Sequence, residues 1–324
     1  MSTRSLPVLD LGRFRAGGAE RAAFVRELRA AAGGVGFFYL RGHGVPERVT
    51  RRIADLAAEF FRLPLEQRLA IENVHSPHFR GYTRDGNEFT GGVRDRREQL
   101  DIGPERPAVV PRPGDPSWWG LRGPNQWPDA LPELRAAALD WQHEVVRAGR
   151  ELLGALAVML GREETYFGTW FDEEAATHMK ILHYPAAKDG AGSRGAGSQG
   201  VGEHKDYGYL TLLQQHEVGG LQVRGPDGEW IDVPPRAGSF VVNIGEMLEL
   251  AAGGRIVATS HGVVRPDADR LSVALFMAPR LDAIVEPLDG QGGPGSTRYG
   301  EHALAGWLRS HPEVARRWWS GAPG

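Results

Sequence analysis

The sequence predicts a mainly β protein with flanking helices, its core a β-sandwich or jelly roll. Two observations lead there. From about residue 176 to 285, strand-like runs follow one another closely: THMKILHY, YGYLTLLQQ, GLQVRG, EWIDVP, SFVVNIG, IVATSHGVV and RLSVALFMAP. Short strands separated by turn residues at this spacing are the pattern of two-layer all-β folds. Ahead of them, residues 1–175 mix helical and extended signals. One domain over residues 1–324 is the simplest organisation, with a mixed region (1–175), a β core (176–285) and a C-terminal helix and tail (286–324).

The elements read off in order. Ala19 to Ala32 is a helix stopped by Gly33 and Gly34. Val35 to Leu40 (VGFFYL) is a short strand, Gly42 to Pro46 a turn, and Pro46 to Phe61 a second helix. Residues 75–130 are rich in Gly, Pro and charge, yet Trp118, Trp119 and Trp127 need packing partners, so ordered loops with short strands are expected. A long helix runs from Leu131 to Leu160 with Gly161 as its stop. A last helix covers Glu301 to Ser310.

Composition narrows the function. Apolar residues make up 41% and charged residues 24%, a globular balance. Formal net charge is -3 with no basic run, which gives no reason to expect nucleic acid as a partner. There are no cysteines, so any metal must be held by His, carboxylate or water. No apolar stretch approaches the ~20 residues of a membrane span, and the first residues lack a charged-then-apolar layout, so no membrane partner and a cytoplasmic location are expected. Residues 189–202 contain G-x-G-x-x-G twice, but Pro185 precedes the run and an extended segment follows it. A dinucleotide turn needs a strand before it and a helix directly after, so a surface loop is expected.

The chemistry concentrates in the β core. If His204-Lys205-Asp206 is extended, period-two alternation puts His204 and Asp206 on one face. A third ligand must come from elsewhere, and His261 in IVATSHGVV is the leading candidate. Two imidazoles and one carboxylate on one octahedral face leave three open positions, which suits Fe(II). Arg270 and Ser272 also share a strand face, where a guanidinium beside a hydroxyl can clamp a carboxylate. An arginine aimed into a β core without an anion would be costly.

With these residues the chain resembles the isopenicillin N synthase-like family of iron(II)- and 2-oxoglutarate-dependent oxygenases. The likeness runs along the chain in order: GFFYLRGHGVP, FRLPLEQR, RGY at Arg80–Tyr82, EQLDIG at Glu98–Gly103, NQWP at Asn125–Pro128, LHYP at Leu182–Pro185, LTLLQQHEVGGLQV, VVNIGEMLEL, ATSHGVV and RLS. It implies a distorted double-stranded β-helix, or jelly roll, with flanking helices. It implies iron ligands at His204, Asp206 and His261, and 2-oxoglutarate held by Arg270 and Ser272 with Tyr184 beside them. It also implies Fe(II) as cofactor, 2-oxoglutarate and O₂ as cosubstrates, and oxidation of an unactivated C–H bond of a small molecule, as in the tailoring of a specialised metabolite or amino-acid derivative. Hydroxylation, desaturation and ring closure all stay open. The sequence departs from the family pattern at Leu182, where plant relatives usually carry an Asn that touches the cosubstrate, at Gly262, where Arg is common, and mildly at Glu246.

Three alternatives remain: a synthase-like oxidase without 2-oxoglutarate, a silent binding protein on the same fold, and a zinc hydrolase using the same triad, which would have no use for Arg270 and Ser272. Arg80, Tyr82 and Glu88 are candidate substrate contacts from the irregular region, and Gln214, Leu212 and Phe276 could line the pocket by strand position. His43 reads as structural. His183 alternates away from Tyr184, and His78, His178 and His311 lack partners at ligand spacing.

Overall fold

The structure is a computed structural model that describes residues 5–187, 199–288 and 295–319. Of the glycine-rich run, only residues 199–202 fall within them, opening a strand; the expected loop otherwise lies outside the described residues. The helices are α1 (Leu11–Ala16), α2 (Gly18–Gly34), α3 (Glu47–Arg62), α4 (Leu65–Leu69), α5 (Glu133–Met159), α6 (Glu246–Ala251), α7 (Tyr299–Ser310) and α8 (Pro312–Trp318). The strands used below are β1 (Val8–Asp10), β2 (Phe37–Arg41), β3 (Gly81–Thr83), β4 (Phe89–Thr90), β5 (Val93–Arg94), β6 (Glu98–Ile102), β7 (His178–Tyr184), β8 (Gln199–His204), β9 (Leu210–Gln215), β10 (Leu221–Arg224), β11 (Trp230–Asp232), β12 (Phe240–Ile244), β13 (His261–Val264) and β14 (Arg270–Met277).

Two sheets make the core. The large one has the order β1-β2-β12-β9-β14-β7-β6-β3 and the small one β11-β10-β13-β8. Strands from residues 1–175 therefore pair within the same sheet as strands of the β core. Alternate side chains of the large sheet go to different cores. Leu210, Leu212, Val242, Val273, Leu275 and Met277 pack with the helices. Phe37, Tyr39, Leu182, Tyr184, Val241 and Ala274 pack against Val201, Val223 and Val263 of the small sheet. Because both faces are covered, β6 and β12 are buried at every position. Polar residues therefore sit among apolar ones in strands that read as continuous runs.

The helices follow their apolar spacing. α3 buries Ile53, Ala57, Phe60 and Phe61, one stripe at helical period. α5 buries Leu134, Ala138, Trp141, Val145 and Leu152 on the sheet-facing side, and its Gly149 lets the Met277 thioether of β14 approach. The segment 75–130 holds four strands, two of which extend the large sheet. Helix α8, begun by Pro312 at its first turn, is short and directly follows α7, so it carries little periodicity of its own. No helix among the described residues is long and apolar enough to cross a membrane.

The turn from α2 into β2 fixes the start of the sandwich. Gly36 has φ of 69°, and a Cβ there would collide with the Val257 carbonyl oxygen. Gly36→Ala is expected to destabilise the fold by about 2–4 kcal/mol, combining left-handed strain with a backbone clash. Urea denaturation of the variant beside the parent checks this; an unchanged midpoint would contradict it.

Candidate metal and cosubstrate site

The two histidines of the triad are cross-strand partners. β13 pairs antiparallel with β8, and His261 lies opposite His204, with ring centroids 4.3 Å apart. Strand β8 ends at His204, so Asp206 is not the next same-face residue of a strand, as expected, but sits in the segment that follows. Its backbone carbonyl accepts from Glu246 N at 2.8 Å, which pins it at the start of α6. The outcome is the same convergence. Asp206 Oδ1 lies 3.6 Å from His204 Nε2 and 3.7 Å from His261 Nε2, and the three donor atoms fall within 4.8 Å of one another.

The surroundings set the donor atoms. His204 Nδ1 is 2.9 Å from the Gly202 carbonyl oxygen and His261 Nδ1 is 3.1 Å from that of Thr259, so each Nδ1–H donates to backbone and each Nε2 lone pair is free for a metal. Thr211 Oγ1 and Asn243 Nδ2 both donate to Asp206 Oδ2, Asn243 at 2.8 Å, leaving Oδ1 turned to His204 and His261. Burial resists ionisation of Asp206, yet His261, His204 and Thr211 outweigh it and hold its carboxyl well below the usual range. Burial also resists charging of His204, but the adjacent Asp206 carboxylate raises its pKa. His261 is pushed down to about 4 by burial and by His204. A deprotonated carboxylate and a readily neutral imidazole form a donor set ready for a divalent cation. Phe37 packs edge-on against His261 at 5.1 Å.

Arg270, Ser272 and Phe276 share one face of β14, turned to the small sheet, and Tyr184 lies opposite Arg270 on β7. Arg270 is 1% exposed and lies over the Tyr184 ring at 4.7 Å. It donates to Ser272 Oγ and to Gln215 Oε1, each at 3.2 Å, and its Nε has no partner among the described residues. Burial lowers its pKa, with Tyr184 acting the other way. A buried guanidinium with neutral partners and an unused N–H fits an absent carboxylate, and the 2-oxoglutarate side chain supplies one. Leu182 lies opposite Ser272 and is buried, so an apolar wall stands at this point of departure from the family pattern.

Phe276 and His178 line a cavity of about 420 Å³ beside the triad, together with Glu88, Arg97, Lys180 and Trp307. Arg80 lines an adjoining, smaller cavity. Gln214 and Tyr82 do not belong here. Gln214 alternates to the helix side, where its Oε1 accepts from Trp141 Nε1 at 2.7 Å and its Nε2 donates to the Thr50 carbonyl; Gln215 is the inward neighbour. Leu212 likewise packs with the helices. Tyr82 turns to the helix core, bonds Glu98 and lies edge-on to Phe60 at 6.1 Å. His43 is structural, accepting from Val45 N at 3.1 Å.

A wall of paired charges was not legible from spacing. Lys180 Nζ is 2.7 Å from Glu88 and 3.4 Å from Asp101. Arg97 pairs with Glu88 at 2.7 Å and Asp95 at 3.2 Å. His178, set aside for want of a neighbour, bonds Asp101 through Nε2 at 2.9 Å. Its partner is 77 positions away in sequence.

Comparison with known proteins decides the family. Residues 6–130 match the family described as non-haem dioxygenase in morphine synthesis N-terminal, and residues 176–279 match the 2OG-Fe(II) oxygenase superfamily. The chain belongs to the Fe(II)- and 2-oxoglutarate-dependent oxygenases. It is 36% identical over 295 residues to a 2-oxoglutarate-dependent dioxygenase of Dothideomycetidae sp., covering 89% of this chain and 78% of that protein. It is 33% identical over 323 residues to a homoarginine-6-hydroxylase of Arabidopsis thaliana, covering 93% and 96%. A Neurospora crassa protein crystallised with alpha-KG (2-oxoglutarate) and 5-formyluracil superposes with a TM-score of 0.78 at 26% identity, covering 98% of this chain and 97% of that one. The oxygenase uses Fe(II), 2-oxoglutarate and O₂, which disposes of the synthase-like, silent and zinc-hydrolase alternatives.

Two outcomes follow. Thr211→Val and Asn243→Ala free the far oxygen of Asp206, and each is expected to weaken Fe(II) binding about 10–100-fold, read by anaerobic metal titration. Unchanged affinity in both would refute the role given to them. In the iron-free protein, burial pushes His178 down to about 4 from 6.5, against Asp101. The unfolded chain then binds the extra proton between these values, so stability falls as pH drops from 6.5 to 4. His261 contributes in the same sense. His178→Gln should flatten the slope of unfolding free energy in that window, measured by urea titrations at stepped pH.

Proposed function

We propose that His204 Nε2, Asp206 Oδ1 and His261 Nε2 hold the iron, and that Arg270 and Ser272, with Tyr184 beside them, hold the distal carboxylate of 2-oxoglutarate. One observation carries this reading: the fully buried Arg270, with no carboxylate partner among the described residues and an unused Nε, lies opposite Tyr184 on the strand face whose Phe276 lines the cavity at the three metal donors. When bound, iron with 2-oxoglutarate and O₂ supplies an oxidant strong enough for an unactivated C–H bond, with succinate and CO₂ as co-products.

The protein's own share is placement. Thr211 and Asn243 fix which oxygen of Asp206 faces the metal, and the Gly202 and Thr259 carbonyls fix the imidazole tautomers. Phe276 and Trp307 wall the cavity with aromatic surface that limits water, while Glu88, Lys180 and Arg97 offer charge to orient a polar substrate. Such a lining suits a small molecule bearing both polar and charged groups. The relatives named for homoarginine hydroxylation and the neighbour holding 5-formyluracil support a polar, nitrogen-containing substrate. We place the enzyme in tailoring of an amino-acid derivative or specialised metabolite, in the cytoplasm, where 2-oxoglutarate is supplied by central metabolism.

The test needs no substrate. Fe(II) plus 2-oxoglutarate added without oxygen should produce a visible absorption band. Arg270→Ala should raise the 2-oxoglutarate concentration needed for it by on the order of 100-fold, since truncating one side of a buried charge pair costs several kcal/mol. His204→Ala should abolish it. No band from the parent protein, and no succinate with any substrate tried, would sink the reading.

A further inference from the structure

Beyond the cavity at the triad lies a second, smaller chamber of about 50 Å³. The two share four wall residues, His178, Tyr207, Phe276 and Trp307. Tyr207 directly follows the metal-side Asp206, and Phe276 lies opposite Thr211, which bonds that carboxylate. The wall that the two cavities share therefore stands next to the metal triad.

The chamber is cationic. Arg80 is 7% exposed and lines it. Two of its nitrogens donate to the carbonyl oxygens of His78, at 2.8 Å, and Leu121, at 3.2 Å, while Nε has no partner. Among the described residues no carboxylate pairs with it. Asp101 acts on it through space only, and that carboxylate is engaged by His178 at 2.9 Å and Lys180 at 3.4 Å. Arg106, also on the wall, donates only to the backbone carbonyls of Glu173, Glu174 and Ala175. Arg122 is balanced by Glu174 at 2.6 Å. Leu121, Ala278 and Leu281 leave the rest of the wall apolar. Burial pushes Arg80 down to about 10, still charged at neutral pH.

A buried guanidinium bonded only to carbonyls, with an N–H to spare, is an expensive arrangement unless an anion completes it. Arg270 shows the same pattern, and there the reading above supplies the 2-oxoglutarate carboxylate. One water needs about 10–15 Å³ of such space, so the chamber takes a group of roughly three or four heavy atoms, the size of a carboxylate.

We propose that this chamber is an anion subsite, in which Arg80, with Arg106 at the same wall, receives an oxyanionic end of the substrate passed between Phe276 and Tyr207. Substrates are then elongated, with the oxidised carbon over the metal and a carboxylate-type terminus beyond the shared wall. This rests on the functional reading above and adds the substrate's charge and shape to it.

Crystals of the protein loaded with Fe(II) and 2-oxoglutarate, soaked in sodium bromide, give a direct test by anomalous scattering. A bromide beside the Arg80 guanidinium is expected, falling about tenfold in occupancy in Arg80→Gln and less in Arg106→Gln, as removal of a charge-assisted donor predicts. Arg106 is less buried and bonds only loop carbonyls, so its variant serves if Arg80→Gln does not fold. No bromide at Arg80 overturns the proposal, and so does one of equal height in the variants, an adventitious ion only. In turnover, paired acids and carboxamides of otherwise identical compounds are compared by succinate release. The acids are expected to have KM about tenfold lower or better, with Arg106→Gln raising KM for the acid and little for the amide. Carboxamides as active as their acids would overturn the subsite. Failure of the anaerobic absorption band in the parent protein would instead condemn the functional reading, because bromide binding requires no turnover.

Discussion

The carboxylate of Asp206 is where the two sheets are tied together. The residue leaves the small sheet at the end of β8, and its far oxygen takes bonds from Thr211 of β9 and Asn243 of β12, both in the large sheet. Its near oxygen faces His204 and His261 of the small sheet. A buried carboxylate without such partners would be costly, so strand register is constrained at this point. Asn243 and Thr211 are direct cross-strand partners. A one-residue slip would turn both toward the helices and bring apolar neighbours inward.

The same alternation separates stability from chemistry along every large-sheet strand. In β14, Val273, Leu275 and Met277 pack with helices, while Arg270, Ser272 and Phe276 meet the site. In β9, Leu210 and Leu212 serve the helix core, while Thr211 and Gln215 reach Asp206 and Arg270. A sheet covered on both faces can carry a fully polar site on one of them without losing its hydrophobic anchorage on the other.

Charge inside the sandwich is of two kinds. Glu88, Asp95, Asp101, Arg97 and Lys180 pair at short range, three carboxylates with two cations, so each cation of that wall already has its anion. Among the described residues, Arg270 and Arg80 are bonded to neutral groups only and keep an unused N–H each. The paired group orients; the unpaired guanidiniums ask for an anion. That contrast separates a wall of the cavity from a seat for a ligand.

The sequence by itself determined the class of fold and singled out the proposed metal triad and Arg270–Ser272 clamp, because these rest on local patterns: strand periodicity, H-x-D, and R-x-S two residues apart on one face. Local spacing also put Phe276 on the side of β14 that lines the cavity, and it set His43 and His183 aside. It failed where a side chain's role depends on which of two buried faces it meets. Gln214 and Gln215 are equal in sequence, and only packing on Trp141 sends the first away from the site. Tyr82 and Arg80 are two positions apart, yet one enters the helix core and the other the second chamber. His178 and Lys180 are brought to Asp101 by strand β6 joining β7, a pairing between distant segments. Tertiary structure alone decided these, because contact between distant segments is set by sheet register and layer packing, neither of which leaves a periodic trace in the chain.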